Sequence, residues 1–343
     1  MLDVIIDNQL IRIGERFALG LHRTLRIPDD GRVYPLPPGL GRFPLFKVSS
    51  FRDRAPPQWL GQGGAFIPMY QREALWIGFH AAEWKPNAVK ISVGGINVVS
   101  GESFTEGLKA DPQDYIVCPD QPWLDGINTG HGSIRQFVAM PLGMGYTVEN
   151  SLTGKETFGG IQLTVFEPKP GRFPDKPPLR SETGPVRFDA PKASSAPQPM
   201  GLGAGGEMKQ KIYPDPYGID VWDQDNYGHV AIHIVNSAHF LEWTGRQPPP
   251  TPVDSKTYTE SGLPWFDIYD ELKEDVSPSD HLTGVKTIAE IDKQLEESTA
   301  DNQSVDVLET QIKKLGKDNS GYRRRSPSSP VESGFPSEDE ENE

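Results

Sequence analysis

The chain of 343 residues contains a single cysteine, Cys118. A lone cysteine excludes an intrachain disulfide and a zinc site built from several thiolates. Its scarcity favours a reducing compartment, so the expected location is cytoplasmic. The sequence also lacks an uncharged apolar run of about 18 residues, and we therefore expect a soluble protein with no membrane span.

Neither residues 1–250 nor residues 251–343 carry the excess of positive charge that nucleic-acid binding requires. The formal net charge is −14, and residues 251–343 carry −12 of it, with 22 acidic and 10 basic residues. Residues 1–250 are almost balanced at −2. A nucleic-acid-binding face needs clustered Lys and Arg to neutralise phosphates. We therefore expect no nucleic-acid partner.

Glycine and proline are plentiful instead, with 35 and 33 residues. They separate short β-branched and aromatic runs, which is typical of a mainly β protein. The pair Gly94-Gly95 between two such runs predicts a hairpin. The stretch VAIHIVNSAHFLEW predicts a strand and then a short helix capped by Asn236 or Ser237. The predicted fold is a β-sandwich or barrel-like body with Gly/Pro-rich loops and a few short helices.

Composition divides the chain into five segments. Residues 1–168 are predicted to form a β-rich body, and 201–272 its second part. Between them, 169–200 is a proline-rich linker or excursion. Amphipathic spacing predicts short helices over 273–316. Residues 317–343 have too few apolar groups to offset the entropy of ordering, which predicts a disordered acidic tail.

Six motifs suggest a family, and they are RTLRIPDDGRVYPLPPGLGRFPLF, CPDQPWLDG, RQFVAMPLGMGYTVE, GGIQLTVFEPKPGRFP, QKIYPDPYGIDVW and GLPWFDIYDE. Together they resemble a family of uncharacterised microbial proteins, some of which are labelled integral membrane proteins. No activity, cofactor or catalytic residue follows from the resemblance. It implies only that residues 262–271 belong to the folded unit.

Three closely spaced histidines form the first candidate site. On a strand, His229 and His233 point to one face, and on a helix His239 and Glu242 share a face. Three imidazoles and a carboxylate are a ligand set for zinc or iron with an open coordination position. Because the spacing matches no established signature, the alternative is that these residues are simply scattered on a half-buried strand and the following helix.

The second candidate site is the segment 118–135, rich in polar and turn-forming residues. Ser133, His131 and Asp125 are the residue types of a nucleophile, its base and an orienting acid. The nucleophile-elbow pattern GxSxG is absent around Ser133. The alternative is a surface loop whose polar side chains bond to their own turns.

Ligand binding is the favoured role for this segment if it is functional. Trp123, Asp125, Asn128 and Arg135 offer an aromatic surface, a carboxylate, an amide and a guanidinium. The sequence thus favours a non-enzymatic ligand-binding or scaffold protein without a cofactor, whose partner is a protein or a small molecule. A metal-dependent or Ser/His hydrolase is the alternative. A self-assembling structural protein is a second one, since exposed sheet edges favour homo-oligomers.

Overall fold

The computed structural model describes residues 1–176, 199–268, 273–297 and 299–315. These residues form nineteen strands and six short α-helices, which confirms the predicted mainly β fold. Most of the expected linker at 169–200 and the whole expected tail at 317–343 lie outside the described residues. No helix in the described part is long and apolar enough to cross a bilayer.

The strands are β1 (Val4–Ile6), β2 (Ile11–Ile13), β3 (Phe17–Thr24), β4 (Val33–Tyr34), β5 (Gly39–Arg42), β6 (Phe46–Lys47), β7 (Ala65–Met69), β8 (Ala74–His80), β9 (Asn87–Val93), β10 (Ile96–Asn97), β11 (Ile116–Cys118), β12 (Trp123–Leu124), β13 (Gly126–Gly130), β14 (Ser133–Pro141), β15 (Ile161–Pro168), β16 (Pro199–Lys209), β17 (Trp222–Asn236), β18 (Trp265–Ile268) and β19 (Ile312–Leu315). The α-helices are α1 (Pro57–Gln62), α2 (Val148–Thr153), α3 (Ser237–Thr244), α4 (Ser255–Glu260), α5 (Asp280–Thr283) and α6 (Ile288–Gln294).

Seventeen strands belong to one large, mostly antiparallel sheet. Its central ladder runs in the order β3, β8, β14, β16, β17, β15 and β9. Strands β4 and β7 join β16 and β17 in parallel. The remaining two strands, β18 and β19, form a separate parallel pair.

Alternate residues of the central strands face two different cores. On β14, Phe137 and Ala139 belong to the main hydrophobic core, whereas Val138 and Met140 pack into a smaller core with Ile288 of α6. Side chains on a strand alternate between faces, so a sheet covered on both faces shows nearly continuous burial. Elements outside the sheet, including α6, therefore cover its second face.

Short-range patterns in the sequence predicted several elements. Strands β9 and β10 pair as a hairpin around Gly94 and Gly95, which adopt φ of 56° and 78°. Helix α3 begins after Asn236, whose side chain accepts a hydrogen bond from the Ala238 amide at 3.0 Å. Both features need only neighbouring residues to form.

The segment expected to contain only short helices also contains a strand. Residues 273–315 form α5 and α6, but Ile312–Leu315 is strand β19. It pairs in parallel with Trp265–Ile268, in a register that places Ile312 beside Trp265. Trp265 is fully buried. The pairing partner lies far back in the chain, so local spacing could not identify this strand.

Residues 273–297, here called the strap, lie across the sheet. Asn128 Nδ2 donates to the Ser277 carbonyl at 3.1 Å, and Arg135 Nη1 donates to the Val285 carbonyl at 2.5 Å. Asp292 accepts a hydrogen bond from a tyrosine hydroxyl of the body at 2.8 Å. The strap is thus fixed over β13 and β14, and its residues line two grooves.

Candidate functional site

A groove of about 360 Å³ lies between the strap and the sheet. We call it the strap groove; the residues that matter for its chemistry are Asp29, Arg135, Gly205, Glu207, Thr287 and Lys293. Small-molecule sites in proteins commonly have volumes of about 300–1,000 Å³. The groove is therefore large enough for a small ligand, and charged side chains dominate its lining.

Arg135 on β14 and Glu207 on β16 lie directly opposite each other in the antiparallel register. Residues in such positions point to the same face, with their Cβ atoms about 5 Å apart. Each is nevertheless bonded elsewhere: Arg135 donates to Val285, and Glu207 accepts from the hydroxyl of Ser133. No ion pair joins them within the part of the chain that the structure describes. Both side chains are half-buried and face the groove.

A glycine pair brings a third charged residue to the groove. The β14–β16 register shifts beside Gly205 and Gly206. A Cβ on Gly206 would lie 2.2 Å from the Pro28 carbonyl oxygen, so only glycine lets the chain around Pro28 lie against β16. The next residue, Asp29, consequently reaches the groove, where its carboxylate accepts from the Ala289 amide at 2.8 Å.

The electrostatics of Asp29 reflect this enclosed position. Burial raises the pKa of Asp29, because it disfavours the charged carboxylate. Hydrogen bonds from Thr287 and Ala289 and the positive charge of Arg135 oppose this shift without cancelling it. The carboxylate of Asp29 is thus already engaged by the strap.

Two other carboxylates of the groove are also satisfied by the fold. Asp30 accepts from the Tyr34 hydroxyl at 2.8 Å, and Glu290 accepts from the Thr287 amide at 2.7 Å as part of a capping box. These side chains add negative charge to the rim, but their hydrogen-bonding capacity serves local structure.

Three groups keep unused hydrogen-bonding capacity. Arg135 bonds through Nη1 and Glu207 through Oε1. Among the described residues, no hydrogen-bond partner is found for Nε and Nη2 of Arg135 or for Oε2 of Glu207. The same holds for Nζ of Lys293, which also lines the groove. The strap groove therefore presents two cationic donors and one anionic acceptor to whatever enters it.

Comparison of the chain with protein-family models, curated proteins and solved structures found no significant match. The resemblance to a microbial family therefore stays a prediction, and the case for function rests on geometry.

The predicted catalytic trio is not assembled into a relay. The hydroxyl of Ser133 contacts Thr129 and the Gly130 carbonyl at 3.0 and 3.1 Å, together with a glutamate of β16. His131 is exposed at the tip of the β13–β14 hairpin, with φ of 55°. Asp125 is fully buried just before β13. The three residues are close in the sequence, but their side chains occupy different surroundings in the fold.

Of the four predicted ligand-binding residues, Arg135 lines the strap groove, and the other three are placed differently in the described structure. Trp123 is 8% exposed and belongs to the main core, and Asp125 is completely buried. Asn128 is buried and bonds to backbone carbonyls, including that of Ser277. It thereby supports a wall of a second groove of about 520 Å³, which Ser277 lines. Arg135 alone faces the strap groove.

The two predicted metal ligands on β17 have separate surroundings. His229 Nδ1 lies 2.9 Å from the hydroxyl of Thr164. His233 is buried, stacks on Trp59 with ring centroids 4.5 Å apart, and lies 3.1 Å from the Gly63 carbonyl through Nε2. Four residues along a strand span about 13 Å, so two histidines on the same face are too far apart to share one ion.

The other two predicted ligands, His239 and Glu242, are exposed on α3. Within the described ranges, no group of three or more His, Cys, Asp or Glu side chains is arranged to hold a metal ion. The structure therefore does not bring the four predicted ligands together. The strand period predicts a shared face for His229 and His233, but the rise along a strand separates residues four apart by too much for one ion.

Sequence reasoning missed Asp29, Glu207 and Lys293. No catalytic or ligand-binding motif includes these three residues, because each reaches the groove through pairing or packing with a distant segment. Glu207 is placed by the β14–β16 register, and Asp29 by the approach of its neighbour to Gly206. The glycine-rich run before Glu207 was the only local signal, since it permits close approach of another backbone segment.

Proposed function

We propose that this protein is a non-enzymatic binding protein that holds a small charged ligand in the strap groove. The observation that carries the proposal is the cross-strand pair Arg135 and Glu207, which face one another without forming an ion pair. Each group has a hydrogen bond but no ion pair among the described residues, and half-buried charges are costly when they are not paired. A ligand that supplies those partners would recover this cost on binding.

The position of the pair also supports binding. Both residues stand on neighbouring strands of the central ladder, which fixes their separation through backbone hydrogen bonds. Binding groups on such elements lose little freedom when a ligand arrives. The hydroxyl of Ser133 already bonds to Glu207, so it serves the groove as a positioning group. The hydrolase and self-assembly alternatives stay predictions.

The test is thermal unfolding of the full chain with a panel of simple carboxylates, primary amines and amino acids. At least one class should raise Tm progressively with its concentration, because a ligand that binds only the folded state stabilises it. R135M should lose this shift. R12M is the matched control, since Arg12 pairs with Asp7 on an exposed surface. If no class shifts Tm, or if R135M responds like the wild type, the proposal is wrong.

A further inference from the structure

We infer that the ligand of the strap groove is a small zwitterion, whose carboxylate binds Arg135 and Lys293 and whose ammonium group binds Glu207. This inference rests on the proposed function, and it names the chemical class of the ligand. Three observations support it: the charged groups that remain available, the spacing between them, and the poor fit of singly charged ligands to the other residues of the groove.

The guanidinium of Arg135 is prepared for a carboxylate. Its Nη1 is bonded to the Val285 carbonyl, which fixes the plane of the group. The remaining Nε and Nη2 hydrogens lie along one edge, and such an edge matches the two oxygens of a carboxylate. Lys293 lines the same groove and adds a second positive charge without a fixed geometry.

Glu207 is prepared for an ammonium group. The hydroxyl of Ser133 holds Oε1, which orients the carboxylate and leaves Oε2 available. Because Arg135 and Glu207 occupy directly opposed positions, their Cβ atoms are within about 5.5 Å. That spacing suits the two ends of one small molecule better than two independent ions.

Ligands of a single charge fit less well. A simple anion would meet the negative charges of Asp29, Asp30 and Glu290, which line the same groove. A simple cation would leave the free edge of Arg135 without an acceptor. A zwitterion satisfies both sets of groups. The small residues Gly31 and Gly205 leave space for a compact molecule, such as an α-amino acid or a dipeptide.

The inference can be tested by isothermal titration calorimetry on the full chain. The panel consists of α-amino acids and simple dipeptides, and the tightest binder is then compared with its N-acetyl and C-terminal amide derivatives. Each derivative lacks one charge, so each should bind at least about tenfold more weakly, which corresponds to the loss of one charge-assisted hydrogen bond.

Two variants assign the ends of the ligand. E207Q should weaken the parent ligand and no longer distinguish it from the N-acetyl derivative. R135Q should weaken the parent and no longer distinguish it from the amide. R12Q, which changes an exposed arginine paired with Asp7, should keep the affinity for the parent and both preferences.

The outcomes separate the two proposals. If singly charged molecules bind as tightly as their zwitterionic parent and R135Q still abolishes binding, the zwitterion inference is wrong and the proposed function stands. If zwitterions bind but E207Q and R135Q change neither preference, the assignment to this groove is wrong. If no charged molecule binds at all, both proposals are overturned.

Discussion

Arg72 and Asp292 form a bidentate ion pair that fastens the strap to the turn between β7 and β8. Nη1 and Nη2 of the arginine lie 3.1 and 2.6 Å from the two carboxylate oxygens. The side chains are 15% and 3% exposed. Tyr146 and Asn302 also donate to Asp292. Burial alone would raise the pKa of Asp292, but these donors outweigh it and lower that pKa.

Breaking this pair should loosen the strap. We expect D292N to lower the free energy of unfolding by about 2 kcal/mol, because it removes the bidentate charge-assisted pair with Arg72 and leaves that arginine with Asp301 as its remaining carboxylate. Urea unfolding at pH 7 measures the change. R32M is the control, since the Arg32–Asp306 pair is exposed at 56% and 90% and solvent screening leaves it little effect on stability. Equal effects of the two variants would contradict the role of Asp292.

The buried His233 predicts a pH dependence of stability. Burial lowers its pKa from 6.5 to about 4, although the hydrogen bond with the Gly63 carbonyl opposes this shift. The folded state therefore favours the neutral ring. Its contribution is fully present above pH 6.5, decreases as the pH falls, and is lost near pH 4. From pH 7 to pH 5 the loss should be about 2 kcal/mol.

Urea unfolding of a histidine variant isolates this contribution. H233F should reduce the loss of stability between pH 7 and pH 5 by about 2 kcal/mol, whereas H239A, which changes an exposed histidine of α3, should behave as the wild type. If H233F and the wild type lose the same stability between pH 7 and pH 5, His233 is not the titrating group we describe.

Two glycines with similar backbone angles should respond differently to alanine. Gly64 and Gly31 have φ of 78° and 80°. A Cβ on Gly64 would lie 2.0 Å from the Ala231 carbonyl oxygen, whereas nothing lies within 4 Å of one on Gly31. G31A should cost only the backbone strain, about 1 kcal/mol. G64A should cost about 3 kcal/mol or more, because β7 must separate from β17. Similar losses of Tm in the two variants would contradict this account.

Ser133 should resist reagents that label activated serines. Its residue exposure is 9%, and its hydroxyl contacts Glu207 and backbone rather than a histidine. Incubation with a fluorophosphonate should leave the intact mass of the protein unchanged, with a serine protease labelled in parallel as the positive control. An adduct on Ser133 would instead support the hydrolase alternative.

Local structure was predictable where neighbouring residues determine it. The hairpin at Gly94-Gly95 and the cap at Asn236 depend on backbone conformation within a few residues. The mainly β fold was predictable for the same reason, since its short runs and turns are local patterns. Strand β19 was not predictable from the sequence. Its apolar residues are spaced as in a helix, but its pairing with the distant strand β18 makes it a strand.

The candidate site was predictable only through Arg135. Its partner Glu207 belongs to a strand that starts beyond the proline-rich segment, and a register shift between the two strands sets which residues face each other. Such a register shift cannot be read from the alternation of apolar and polar residues in the sequence. The histidine pair illustrates the same limit: periodicity gave the face of His229 and His233, but a site also requires convergence in space.

The parallel pairing of β18 with β19 has a consequence for biosynthesis. A ribosome makes Trp265 and Phe266 well before it makes Ile312, so this strand can bond to Leu36 on one side while its β19 side still lacks a partner. The open edge of an aromatic strand is a hazard for association with other nascent chains. Pairing of the two strands must therefore await translation of residues 312–315. A chain terminated before that point would expose this aromatic edge to chaperones.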